Sequence, residues 1–265
     1  MGSDARVYIF DDGIFQDVVV PAFHKLLLDS SVAPWLKKVQ DELNQEGFDI
    51  ATHVFGGVDF KKNCRYLKPD FAYSGSEKDQ WTSRWQTRAC SLIACPDEKH
   101  CPLHRSNAST LAEDLAILFE RAVSSQCLGR SQFVGRSMSP MKYSVSLFDP
   151  DCKVDPKLDK FLKLLAYRGF VIGYQFCNSD GIHGWLSAEE TRQFANILPP
   201  LQLPPFEKSF EAMENFRTKS NTGPAYELPQ GYSFKHLSFA FLRTVGVLAS
   251  EQGKGILWGN DLSIP

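Results

Sequence analysis

The sequence feature that most constrains this chain is a short stretch, residues 90–104, in which zinc-binding side chains are concentrated. It contains three of the seven cysteines and two of the six histidines of the protein. Thiolate and imidazole are side chains that zinc selects, and a structural zinc site needs four such ligands in a tetrahedron. The stretch therefore predicts a structural zinc site, a local Cys/His metal knuckle, whose ligands are Cys90, Cys95, Cys101 and His104.

The spacing of these ligands leaves two other interpretations open. Only five residues lie between Cys95 and Cys101, fewer than separate the ligand pairs of most zinc sites built from two knuckles. The cysteines could instead be small buried hydrophobic residues, with His104 exposed. An iron–sulfur cluster would need a histidine or the distant Cys127 as its fourth ligand.

Cysteine usage also bears on the cellular compartment. Seven is an odd number, and the cysteines are scattered along a chain whose first residues do not form a secretory signal. Disulfide frameworks are typical of short secreted chains with an even number of cysteines. We therefore expect reduced thiols and a cytoplasmic protein.

Charge and hydrophobic patterning exclude two classes of partner. The chain carries 29 basic and 31 acidic residues, well mixed along its length, and its net charge is −2. Nucleic-acid binding needs a concentrated basic surface, so no nucleic-acid partner is expected. No run of about eighteen apolar residues occurs, so no membrane-spanning helix and no membrane partner are expected. The partner that remains is an unidentified protein or small molecule.

Apolar periodicity predicts both strands and helices. The run Arg6–Phe10 is rich in β-branched and aromatic residues, which is typical of a strand, and a last short strand is expected at 255–258. Apolar residues at helical spacing occur at 14–28, 35–43, 111–122, 158–165 and 234–248. The pattern predicts an α/β or α+β fold, with a mixed sheet, flanking helices and the metal knuckle as a local staple.

A segment rich in glycine, serine and arginine, Gly129 to Pro140, predicts a hinge between two halves. The N-terminal half, residues 1–128, would contain the knuckle. The C-terminal half, residues 141–265, would contain a strand–helix–strand unit at 142–176 and the closing helix. Parallel pairing of those two strands through a right-handed crossover would make the sheet mixed. One continuous domain is the alternative.

Capping residues mark several expected helix ends. The pair Asp155-Pro156 is typical of an N-cap followed by the first helical residue. Two segments match the capping box, one running from Thr110 to Glu113 and the other from Ser187 to Glu190. Gly47 is typical of the position just beyond the end of a helix.

Two adjacent carboxylates, Asp11 and Asp12, directly follow the first expected strand. A carboxylate at the end of a strand can take part in acid–base or metal chemistry. The segment from Phe10 to Gly13 lacks the residue that separates the two aspartates in haloacid dehalogenase phosphatases, so it does not predict their magnesium site. A turn whose aspartates cap the helix that starts near Ile14 is the alternative interpretation.

A second candidate pair, Asp180 and His183, lies in a glycine-rich segment between an expected strand and the capped helix at Ser187. Open α/β sheets place ligands at the carboxyl ends of strands, and a histidine beside a carboxylate can transfer protons near neutral pH. No Gly-x-Ser-x-Gly elbow supplies a nucleophile. A glycine-rich turn with a surface histidine is the alternative.

No complete catalytic constellation can be assembled from these motifs. The leading hypothesis is therefore a non-catalytic binding or interaction protein, in which zinc holds a recognition surface. The alternative is a hydrolase-like enzyme whose catalytic residues, Asp11, Asp12, Asp180 and His183, converge at one edge of the sheet.

Overall fold

The structure, a computed structural model, describes residues 4–29, 31–50, 109–136, 139–143, 155–167, 181–198, 209–213 and 234–262 of the 265-residue chain. The main elements of these residues are, in chain order, β1 (Asp4–Phe10), α1 (Asp12–Ile14), a π-helical turn (Phe15–Val19), α2 (Val20–Asp29), α3 (Pro34–Gln45), α4 (Ser109–Cys127), β2 (Leu128–Arg136), a 3-10 turn (Pro140–Tyr143), α5 (Pro156–Tyr167), β3 (Gly181–Leu186), α6 (Ala188–Ile197), α7 (Phe234–Glu251) and β4 (Gly255–Asn260).

The four strands form one antiparallel sheet in the order β2-β1-β4-β3, flanked by helices, so the fold is α+β. β1 pairs with β2 on one side and with β4 on the other. In the described residues the sheet is antiparallel and not mixed, and both neighbours of β1 run opposite to it. The parallel pair expected within 142–176 stays a prediction, because most of the two expected strands lies outside the described residues.

β2 occupies most of the segment predicted as a hinge, so residues 129–136 form a strand and not an irregular segment. The side chains of Gln132 and Val134 are buried, whereas Gly129 and Arg130 are exposed. A strand at the edge of a sheet needs few apolar residues, because one face and one edge can remain polar. The glycine, serine and arginine residues that indicated a loop therefore belong to an edge strand.

The chain divides into two compact units that alternate along the sequence. The first unit contains β1, β2, β4 and β3 from His183 onward, together with α5, α6 and α7. The second contains the π-helical turn, α2, α3 and α4. The predicted division into residues 1–128 and 141–265 stays a prediction.

In the first unit, helices pack against one face of the sheet. α7 contacts β1, β2 and β4, while α6 contacts α7 and β4. Aromatic rings meet edge to face in the core between helices and sheet, with 6.0 Å between the centroids of Phe161 and Phe194 and 6.3 Å between those of Tyr143 and Trp258. Burial of each such side chain contributes roughly 1.5–3 kcal/mol to stability, so this core is the main attachment of the helices.

Two helices of this unit begin at the caps that the sequence predicts. Asp155 Oδ1 accepts a hydrogen bond of 2.7 Å from the backbone N–H of Lys157, at the start of α5. Ser187 Oγ accepts a bond of 3.2 Å from the backbone N–H of Glu190, whose carboxylate accepts one of 2.9 Å from the N–H of Ser187. Both predicted N-caps are therefore confirmed.

Two glycines of this unit allow backbone segments to approach very closely. A Cβ atom added at Gly184, in β3, would lie 2.2 Å from the carbonyl oxygen of Leu164 in α5. A Cβ atom added at Gly255, the first residue of β4, would lie 2.2 Å from the carbonyl oxygen of Leu186. These contacts place α5 directly on β3, and the end of β3 directly beside the start of β4.

The second unit is held by an aromatic cluster and an ion pair. The ring of Phe119 packs edge-on against those of Phe15 and Phe23, with centroid distances of 6.2 and 5.1 Å. The guanidinium of Arg121, whose side chain is 6% exposed, donates hydrogen bonds of 3.0 and 2.6 Å to the carboxylate of Glu46. This bidentate pair joins α4 to the residue that follows α3.

The helices of the second unit lie close to the positions expected from the sequence. Gly47, with a φ of +99°, follows the end of α3 as predicted. α4 begins at Ser109, so Thr110 lies within the helix and is not the N-cap that the sequence predicts. Among the helices of both units that the structure describes, none is long and apolar enough to span a membrane.

Candidate functional site

The structure describes part of the set of predicted site residues. Asp11, Asp12 and His183 lie within the described ranges. The predicted zinc ligands and the fourth predicted catalytic residue lie outside them; these are Cys90, Cys95, Cys101, His104 and Asp180.

Asp11 follows the last residue of β1 and forms an ion pair with Lys254. The pairing of β1 with β4 explains this contact, because Phe10 lies opposite Gly255 in the antiparallel register. The residues on either side, Asp11 and Lys254, are therefore brought together, and the ammonium of Lys254 donates to the carboxylate of Asp11. The side chain of Asp11 is 22% exposed and that of Lys254 is 38% exposed, so the pair is only partly in solvent.

Asp12 is bound at the start of another helix. Its Oδ1 atom accepts a hydrogen bond of 3.1 Å from the backbone N–H of Ala188, the first residue of α6. The sequence suggested that both aspartates cap the helix that starts near Ile14. For Asp12 the structure shows a different partner, because its hydrogen bond comes from the first residue of α6, the helix that Ser187 caps. This bond joins the end of β1 to α6.

The pKa of the Asp12 carboxyl is raised above its ordinary value of 3.8, mainly by burial. The carboxylates of Asp11 and Glu190 raise this pKa further, while the hydrogen bond from Ala188 lowers it. Removing a carboxylate from water disfavours its charged form, and nearby negative charge acts in the same direction. Asp12 thus retains its proton to higher pH than an exposed aspartate.

His183 lies within a strand and not in the turn that the sequence indicates. The residues from Gly181 to Leu186 form β3, and the side chain of His183 is buried, with 7% exposure. Gly184 faces α5, so its neighbours His183 and Trp185 point to the opposite face of the sheet, as alternation along a strand requires. On that face the ring of Trp185 packs against Phe10, with 5.5 Å between centroids.

The geometry brings the two aspartates together but separates them from the histidine. Asp11 and Asp12 lie at the end of the sheet where Gly255 meets Leu186. His183 lies three residues before Leu186, which corresponds to about 10 Å along an extended strand. The enzyme hypothesis requires all its catalytic residues at one place. This end of the sheet contains two carboxylates and a lysine, whereas the histidine lies farther along β3.

Sequence reasoning missed the partners of the aspartates, Lys254 and the N–H of Ala188. For Lys254, the missing information was the pairing of β1 with β4. The sequence contains a signal for this pairing in two apolar runs, Val7–Phe10 and Ile256–Trp258. In both runs every residue is apolar, whereas a strand with one exposed face would alternate apolar and polar residues. Such runs are typical of strands that are buried on both faces. Both stretches are buried in the structure.

Among the described residues, no group of three or more histidine, cysteine, aspartate or glutamate side chains is arranged to hold a metal ion. The predicted zinc ligands were outside that set, so the zinc site stays a prediction. Comparison with known proteins finds no matching family model and no significant similarity to a curated protein or a solved structure.

Proposed function

We propose that this protein is a non-catalytic binding protein, in which a zinc site formed by Cys90, Cys95, Cys101 and His104 holds the recognition surface. The observation that supports this proposal is the use of Asp11 and Asp12, the best carboxylate candidates for catalysis, as structural links at one end of the sheet. The partner is a protein or a small molecule.

The bonds of the two aspartates favour a structural role. A catalytic carboxylate must reach a substrate proton or a reacting atom with a free oxygen. The carboxylate of Asp11 is bound to the ammonium of Lys254, and one oxygen of Asp12 is bound to the backbone N–H of Ala188. Both contacts connect segments that are distant in the sequence, as expected of residues that hold a fold together.

The position of His183 favours the same proposal. A general base must lie within about 3 Å of the proton that it abstracts, or be linked to it by a water molecule. His183 is buried on β3, roughly 10 Å along the strand from the end where the aspartates lie. A substrate bound at that end would not meet the imidazole directly.

The zinc component of the proposal depends on ligand chemistry. Cys90, Cys95, Cys101 and His104 would provide the three thiolates and one imidazole of a closed structural site, which leaves no open position for a substrate. In such sites the metal supplies folding free energy and fixes the surrounding loops. A zinc site of this kind is consistent with recognition and not with catalysis.

Substitution of one predicted ligand tests the proposal. We expect about one zinc per chain in the purified protein by elemental analysis, loss of that zinc in Cys101→Ser, and a lower melting temperature, because metal binding contributes to folding. The control is Cys127→Ser, which changes a buried cysteine of α4 outside the predicted set and should retain zinc. An unchanged zinc content and melting temperature in Cys101→Ser would contradict the zinc site.

A hydrolase-like enzyme is the second candidate, and the raised pKa of Asp12 favours it. Catalytic acids are often carboxyls whose pKa is raised by burial and by a neighbouring carboxylate, as Asp12 is. Chromogenic phosphate and carboxyl esters provide a test. Hydrolysis that is abolished in Asp12→Asn but retained in Asp41→Asn, a surface change on α3, would favour the enzyme over the binding protein.

A further inference from the structure

We draw no further inference here: the strongest candidate, the exposed apolar pair Ile14 and Val18 at the start of the helical segment after β1, carries nothing because no feature of the described residues shows what covers it.

Discussion

The strand order β2-β1-β4-β3 gives the sheet two lateral sides, one formed by β2 and the other by β3 and β4. Different kinds of contact hold these two sides in place. On the side of β3 and β4, main-chain atoms meet directly, because Gly184 lies against the carbonyl oxygen of Leu164 and Gly255 lies against that of Leu186. On the same side, Ser187 Oγ and Asp12 Oδ1 accept hydrogen bonds from the backbone N–H groups of Glu190 and Ala188. At Gly184 and Gly255 there is therefore no room for a larger side chain.

On the side of β2, the ion pair that joins the strand to β1 is made by side chains that are largely exposed. Arg136 pairs with Asp4 over 3.3 Å, with exposed fractions of 78% and 44%. The pairing of β1 with β2 also shifts register twice along its length. A Cβ atom at Gly129 would meet nothing nearer than Ile9, at an ordinary contact distance of 3.6 Å. The exposed positions of this side, such as Gly129 and Arg136, can therefore accept substitutions that Gly184 and Gly255 cannot.

The strongest test of this difference is a methyl group added on each side. We expect Gly184→Ala to lower the free energy of unfolding by about 3 kcal/mol, because two main-chain segments would have to separate. Gly129→Ala should change it by no more than about 0.5 kcal/mol. Urea denaturation measures both values, and equal effects of the two substitutions would contradict the comparison.

Removal of one hydroxyl on each side should give a smaller difference. Ser187→Ala removes the acceptor of the α6 capping box and should lower the free energy of unfolding by about 1 kcal/mol. Ser131→Ala removes only a 3.2 Å contact with the guanidinium of Arg6, so we expect at most about 0.5 kcal/mol. Thermal denaturation followed by circular dichroism would detect the difference, and a larger loss in Ser131→Ala would reverse the assignment.

Ion pairs on the two sides should differ still less. Lys254→Met breaks the partly buried pair with Asp11 and should lower stability by about 0.5 kcal/mol at low salt, because Asp11 loses its counter-charge. Arg136→Met, at the exposed pair with Asp4, should have a smaller effect. Denaturation at low and high sodium chloride checks both, since salt screens exposed charges more strongly. If Lys254→Met is as stable as the parent protein at both salt concentrations, the pair contributes nothing to stability.

The last expected effect is a dependence on pH. Since the folded-state pKa of Asp12 is raised, its contribution to stability is fully present below the unfolded value of 3.8 and is lost as pH rises through the folded value. Asp12→Asn keeps an oxygen for the N–H of Ala188 but does not titrate. We therefore expect Asp12→Asn to gain stability relative to the parent protein between about pH 3 and pH 8 in urea denaturation. A difference that stays constant over this range would disprove the assignment.

Local structure was predictable from the sequence wherever residues close together in the chain determine it. The capping groups of α5 and α6 and the glycine after α3 were predicted correctly, because each acts on neighbouring residues. The first and last strands were predicted for the same reason, from their own apolar residues.

Features that depend on distant segments were not predictable in this way. The glycines of β3 indicated a turn, whereas Gly184 is needed because α5, from another part of the chain, lies against it. Likewise, the composition of residues 129–136 indicated a loop because an edge strand needs little apolar surface. The contact of Asp11 with Lys254 depends on the register between β1 and β4, which no single segment encodes.

The pairing of β1 with β4 determines when the sheet can be assembled. Asp4 and Asp261, which are joined by hydrogen bonds, are 257 residues apart in the chain. During synthesis β1 leaves the ribosome long before β4 exists, so the central pair can form only after nearly all the described residues have been translated. Closing such a long loop slows folding, and an apolar strand that waits for its neighbour can associate with other chains. Slow, late assembly of the sheet follows from this topology.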